Sequence, residues 1–136
     1  MLTLEHLAAL HDQHATALKA NVSSFDLRGH TFSPYPHSSL MGVVNLSSDS
    51  WYRESVCLTA EAAIRRARRL TTEGAALIDI GAESTILTAQ EVDASTQTSL
   101  LLPIVKALSQ EGILVSVETY HAEVTQACLE AGAANG

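Results

Sequence analysis

Residues 73–85 read EGAALIDIGAEST. Within this stretch, residues 76–80 form a short apolar run broken only by Asp79, with Gly74 ahead of it and the polar Glu83, Ser84 and Thr85 behind it. An apolar run of that length between turn residues is the pattern of a strand buried on both faces, as in a parallel sheet. The preceding segment has helical period. Ala60, Ala63, Ile64, Ala67 and Leu70 recur on one face of a helix from about Ala60 to Glu73, with Thr59 placed to cap its start and Gly74 to stop it. Helix, glycine, apolar strand and polar loop together predict one unit of a parallel βα repeat.

Working outward, the same unit appears on both sides. Residues 40–44 form an earlier apolar run, followed by the polar NLSSDS of residues 45–50. After a loop through Ala94, a helix carries Leu101, Ile104, Val105 and Leu108 on one face, with Pro103 expected to kink its start. A third strand is expected at residues 113–117. Its helix runs from about His121 to Ala131, turns Val124, Ala127, Cys128 and Ala131 toward the sheet, and stops at Gly132. Three βα units at near-equal spacing predict right-handed crossovers in a parallel α/β fold, and both an open doubly wound sheet and a closed barrel fit that rhythm. The sequence argues against a dinucleotide site, because Gly42 lies inside the first strand and no glycine-rich turn follows it.

Ahead of the repeat, Leu4, Leu7 and Leu18 share a stripe with His11 and His14 and predict an amphipathic lead-in helix within residues 1–24. The two histidines lack further ligands at metal-binding spacing, so this segment reads as a surface or docking helix. Residues 25–32, FDLRGHTF, alternate about Gly29 and predict a small hairpin that opens a second unit, residues 25–136.

A chain of 136 residues is long enough for one domain with a core, given typical domains of about 100–150 residues. The hydrophobic fraction of 46% is that of a globular protein, and the formal charge of −7 argues against nucleic acid or an anionic membrane as partner. The basic run Arg65, Arg66, Arg68 and Arg69 falls inside a helical pattern and reads as a solvated face. Two cysteines, Cys57 and Cys128, imply neither a disulfide framework nor a thiolate zinc site. With no secretory leader and no membrane-length apolar run, a reducing, cytoplasmic location is expected.

Parallel α/β folds place their ligands at the C-terminal ends of their strands. Here those ends deliver Asn45, Ser47, Ser48, Asp49 and Ser50 from the first, Asp79, Glu83, Ser84 and Thr85 from the second, and Glu118 and Thr119 from the third. Each has a structural alternative: Asn45 and Asp49 as loop caps, Asp79 as a satisfied buried carboxylate, Thr119 as a helix N-cap. Their convergence on one mouth points to a site. A carboxylate that accepts two hydrogen bonds, beside an amide that both donates and accepts, suits a flat, nitrogen-rich heterocycle.

Three segments carry a family resemblance. MGVVNLSSDSW (residues 41–51) is similar to the first-strand motif of dihydropteroate synthases, M-G-I-x-N-x-T-P-D-S-F. EGAALIDIGAEST resembles their E-G-A-x-x-I-D-I-G-G-E-S-T-R-P, and VSVETYHAEVTQACLEAGA (residues 115–133) resembles I-S-V-D-T-x-K-x-x-V-A-x-x-A-L-x-A-G-A. The resemblance spans about Phe25 to Gly136. It implies the N-terminal portion of a (β/α)8 barrel, about three βα units, which the lead-in helix and small hairpin read above precede. It also implies condensation of a dihydropterin pyrophosphate with p-aminobenzoate, with Mg2+ assisting departure of pyrophosphate. In that scheme Asn45 contacts the metal and pyrophosphate, and Asp49 lies in the loop closing over the second substrate. Thr85 contacts the pyrophosphate or pterin region, Glu118 binds the pterin, and a full-length form dimerises.

The departures from the family pattern are specific. Ile86 stands where the motif has Arg, Leu87 where it has Pro, Ser47 and Ser48 where it has Thr-Pro, and Glu118 where it has Asp. Loss of the Arg removes a cation near an anionic leaving group, and Glu118 is longer by a methylene. Two alternatives follow: a pterin-binding paralogue without catalysis, and a methyltetrahydrofolate-binding methyltransferase domain, which shares the pterin mouth. A closed barrel takes about 250 residues, and the chain reaches Gly136 where the family's fourth strand would begin. The expectation is therefore a C-terminally truncated barrel domain whose isolated chain lacks synthase activity.

Overall fold

A computed structural model describes residues 2–34, 36–47, 53–84 and 91–134. Helix α1 (Leu4–Gln13) leads to a hairpin of β1 (Phe25–Leu27) and β2 (His30–Phe32), followed by β3 (Leu40–Asn45), α2 (Ala60–Thr72), β4 (Ala75–Gly81), α3 (Ala94–Gln110), β5 (Val115–Glu118) and α4 (Ala122–Ala131). Strands β3, β4 and β5 form a parallel sheet in that order.

Alternation along the strands separates two faces. Gly42, Ile78 and Val115 share one register row and Val44, Ile80 and Val117 the next, all on the side that the helices cover. Against them lie Ala63 and Ala67 of α2, Leu101, Ile104, Val105 and Leu108 of α3, and Val124 and Cys128 of α4, every one of them 0% exposed. Each large apolar side chain buried there contributes about 1.5–3 kcal/mol. Gly42 admits the closest approach of α2: a Cβ at this position would stand 3.0 Å from both Leu70 Cδ1 and Ile78 Cδ1. Both cysteines are buried free thiols, and burial pushes both thiols up, an effect that nearby Arg66 and Arg65 partly offset at Cys57.

Helix ends follow local chemistry. Thr59 Oγ1 accepts from the Ala62 amide at 3.2 Å to start α2, as its sequence position predicts. Asp93 starts α3, its Oδ1 accepting from the Thr96 amide at 2.9 Å. Those bonds hold its carboxyl below the usual range. The third strand begins at Val115, two residues later than expected. The Ile113 amide is spent on the Leu108 carbonyl (3.0 Å) and that of Gly112, at φ 76°, on Ser109 (3.1 Å), a Schellman closure of α3. Pro103 does not mark the start of α3. It lies inside the helix on an exposed face, where the lost amide bond does not interrupt the buried stripe. Thr119 is not the N-cap of α4; His121 is.

No residue of α1 is buried, and Thr3 and His6 close a reciprocal capping box at its start. Leu18 falls outside this helix, in a separate 3-10 turn at Ala17–Lys19, so it does not share a helical stripe with Leu4 and Leu7. The hairpin turns at Arg28 and Gly29, φ 45° and 80°, the sign pattern of a type I′ turn. Phe25 and Phe32 stack across it at 5.3 Å. After α4, the Ala134 amide bonds the Val115 carbonyl at 2.7 Å, so the chain emerges alongside β5. Among the described residues, no helix is long and apolar enough to cross a membrane.

Candidate functional site

The sheet face turned away from the helices carries Val43, Asp79 and Ser116 in one row and Asn45, Gly81 and Glu118 in the row nearest the strand ends. Gly81 leaves the middle of that last row open. A Cβ there would stand 3.2 Å from Glu118 Oε2 and 3.8 Å from Asn45 Oδ1, so both flanking side chains lean over the bare backbone. An amide oxygen and a carboxylate thus face each other across a glycine floor.

Asn45 is held in one orientation. Its Nδ2 donates to Ser55 Oγ at 2.6 Å, and its backbone carbonyl accepts from the Cys57 amide at 2.7 Å where the chain rejoins the sheet through an Asn45–Val56 bridge. With the amide nitrogen so committed, Oδ1 is the atom presented toward Gly81. Ser55, fully buried, is a supporting residue that sequence patterning did not single out.

Glu118 reaches solvent at the end of β5. Partial desolvation, and then the Asp79 carboxylate one row deeper, push its carboxyl above the usual glutamate range. An ionised Glu118 is therefore short of compensating donors among the described residues, and N–H groups brought by a ligand would suit it.

A second polar cluster adjoins this row. Gln97 of α3, 0% exposed, donates from Nε2 to Glu83 Oε2 at 2.6 Å and to the Val92 carbonyl at 2.8 Å, and accepts from Thr119 Oγ1 at 2.7 Å. Thr119 Oγ1 also accepts from the His121 amide at 3.2 Å. Gln97 was not singled out from the sequence, although it occupies the same helical stripe as Leu101, Ile104 and Leu108; a polar residue on that stripe was the signal.

Of the residues expected at the mouth, the structure brings Asn45 and Glu118 together in one row, with Asp79 behind them. Asp49 and Thr85, with Ser48, Ser50, Ile86 and Leu87, lie outside the described residues. Among the described residues no group of three or more His, Cys, Asp or Glu side chains could hold a metal, and His11 contacts only Asp12, at 3.2 Å.

The family model described as "Pterin binding enzyme" matches residues 41–135. The chain belongs to the pterin-binding enzyme family. Among its relatives, the type-3 dihydropteroate synthase of Escherichia coli is 37% identical over 93 residues, covering 68% of this chain and 35% of the relative. The dihydropteroate synthase of Streptococcus pyogenes serotype M1 is 34% identical over 98 residues, 71% of this chain and 37% of the relative. Among solved structures, the Yersinia pestis synthase with a sulfonamide drug superposes with TM-score 0.73 at 32% identity, over 82% of this chain and 40% of that one. The Burkholderia cenocepacia synthase complexed with 7,8-dihydropteroate gives 0.67 at 29%, over 82% and 36%. This member of the pterin-binding family thus spans little more than a third of the length of its curated relatives. The three sequence motifs and the fold class read from them, about three βα units of a (β/α)8 barrel, are borne out by these matches.

Proposed function

We propose that this chain forms the pterin- and pyrophosphate-facing side of a dihydropteroate synthase, which joins 6-hydroxymethyl-7,8-dihydropterin pyrophosphate to p-aminobenzoate and releases pyrophosphate. The observation that carries the reading is the row Asn45, Gly81, Glu118 at the strand ends. The Glu118 carboxylate accepts hydrogen bonds from the amino-pyrimidinone edge of the pterin, and the glycine floor lets the flat ring lie against backbone. The Burkholderia relative is described with 7,8-dihydropteroate, and a Xanthomonas albilineans synthase, 33% identical, with 4-aminobenzoic acid.

Asn45 and Thr85 hold the pyrophosphate end and Asp49 belongs to the loop over the p-aminobenzoate side. Asn45 Oδ1 also fits Mg2+, a hard cation that takes oxygen donors and usually binds through one or two protein oxygens together with substrate phosphates and water. When bound, Mg2+ neutralises charge that builds on the departing pyrophosphate. Residues 25–136 serve as the barrel portion and residues 1–24 as a lead-in, in a cytoplasmic protein that dimerises in its full-length form.

A second reading, a pterin-binding paralogue that does not condense p-aminobenzoate, is favoured by one observation: Ile86 stands where the family motif carries Arg. Calorimetric titration of a full-length form with the dihydropterin pyrophosphate, with and without Mg2+, tests both readings, and failure to bind it sinks both. In a full-length form of the protein, turnover of p-aminobenzoate that rises in Ile86→Arg supports the synthase, whereas pterin binding without turnover in either variant supports the paralogue.

A further inference from the structure

Gln97 is the fully buried polar side chain of α3, on a stripe otherwise made of leucine, isoleucine and valine. A buried amide is costly unless each polar atom is paired, and here each one is. Its two N–H groups meet acceptors only, the Glu83 carboxylate and the Val92 carbonyl, and its oxygen meets the Thr119 hydroxyl. Thr119 Oγ1 accepts from the His121 amide, which leaves its own proton for Gln97. His121 Nε2 lies 3.2 Å from the Val92 carbonyl, an acceptor, so this ring nitrogen carries the proton. The bonds close a ring: Gln97, Thr119, His121, Val92 and back to Gln97.

That ring, with the Gln97–Glu83 bond beside it, ties together three segments that the sheet alone does not hold: the loop leaving β4 through Glu83, the entry to α3 through Val92, and the end of β5 through Thr119. Glu118 is the next residue to Thr119, and Glu83 opens the loop that continues into Thr85. We propose that Gln97 is a positioning residue for the pterin mouth: by locking Thr119 and Glu83 to one amide, it fixes the direction in which Glu118 meets its ligand. This rests on the pterin reading above and goes beyond it, because Gln97 itself touches no substrate. A side chain that must hold a ligand-binding carboxylate in place does so best when its own geometry is over-determined by packing and hydrogen bonds.

The test uses the protein with its chain otherwise unchanged and dihydropterin pyrophosphate as probe, with affinity read by calorimetry and stability by denaturant unfolding. Gln97→Glu keeps the shape but sets a carboxylate against Glu83 and the Val92 carbonyl. Thr119→Val removes the hydroxyl at nearly constant shape, and Thr119→Ser restores it. Gln97→Glu and Thr119→Val are each expected to weaken pterin binding on the order of ten-fold, the usual effect of removing support for a ligand-binding group. Together they should weaken it no more than the worse of the two, and Thr119→Ser should bind as the parent does. Nitrogen-15 shifts of His121 in the parent should show the Nε2–H form that the Val92 carbonyl requires. Parent-like affinity in folded Gln97→Glu and Thr119→Val overturns the proposal while leaving the pterin reading intact, and so does additivity of the two losses. If Gln97→Glu does not fold, Thr119→Val and its Ser control decide alone. A parent protein that binds no pterin overturns the pterin reading and this role with it, while the His121 tautomer still reports whether the His121–Val92 bond forms.

Discussion

The Arg28 guanidinium donates from Nε to the Ala133 carbonyl at 2.9 Å and from Nη2 to the Leu129 carbonyl at 3.2 Å. The tip of the hairpin is thereby bonded to the last turn of α4, roughly a hundred residues away along the chain, at a helix end that carries partial negative charge. Arg28→Ala should lower stability by about 1–2 kcal/mol, because the Leu129 carbonyl of the last turn and the Ala133 carbonyl just past the cap both lose a charged donor. Arg28→Lys should recover only part, since an ammonium has no planar fork to reach both carbonyls. Urea midpoints of the three proteins check this, and equal midpoints for Ala and the parent would show that the contact contributes nothing.

Gly132 is constrained twice. Its φ is 116°, and a Cβ there would collide with the side chain of Ser109 on α3. Gly132→Ala should therefore destabilise by more than about 2 kcal/mol, combining backbone strain with overpacking. Adding Ser109→Ala removes the hydroxyl but neither its Cβ nor the positive φ, so it should restore only a fraction. Thermal unfolding of the single and double variants reads out both parts.

Glu118 carries a pH signature. Its carboxyl is raised in the folded state, first by desolvation and then by Asp79, so the folded protein holds this proton more tightly than the unfolded chain does. Its contribution to stability is full below the ordinary glutamate pKa and is lost as pH rises through the raised value. Glu118→Gln should remove that slope and leave the protein slightly more stable at neutral pH. The gain should not exceed about 0.5 kcal/mol, because the side chain reaches solvent and is screened. Pterin affinity should fall by about 1.5–3 kcal/mol, roughly ten- to a hundred-fold, with loss of the charged acceptor. Unfolding at pH 4 to 8 beside pterin titration checks both signs; a variant that is less stable at neutral pH contradicts the account.

Asn45→Ala should remove the benefit of Mg2+ without removing the pterin. The parent should bind the pyrophosphate ester about ten-fold more tightly with Mg2+ than after chelation, the value of one charge-assisted contact. The variant should show no such difference, yet keep the parent's affinity for the pterin alcohol that lacks the pyrophosphate. An unchanged Mg2+ effect in the variant would move the metal contact away from Asn45.

The repeat was legible because its punctuation is local. Gly74 and Gly132 end helices, Thr59 starts one, and the apolar runs between them admit little but buried strands. Ile113 misled for an equally local reason: its β-branched side chain fits a strand, but its amide is taken by the closure of α3. Pro103 misled as to position, because the helix it was expected to kink at its start begins nine residues earlier, at Ala94. Asn45 and Glu118 could be named as strand ends, but their shared row with Gly81 required the register, which only pairing fixes. Gln97 could have been flagged as a polar residue on an apolar stripe, but its role was out of reach, because its partners Glu83 and Thr119 are distant in sequence and become neighbours only when the loops of two strands meet over the start of α3.

Because Asn45 and Glu118 sit on the two strands flanking Gly81, their separation is set by two inter-strand steps of roughly 4.8 Å each. The backbone ladder acts as a ruler that no side-chain replacement on the helices can rescale. A lineage could therefore exchange the loop cation at position 86, or lengthen the carboxylate at 118, and still measure the same span between its two recognition points. What drifts in such a protein is what the ruler is used for, while the length it measures stays fixed.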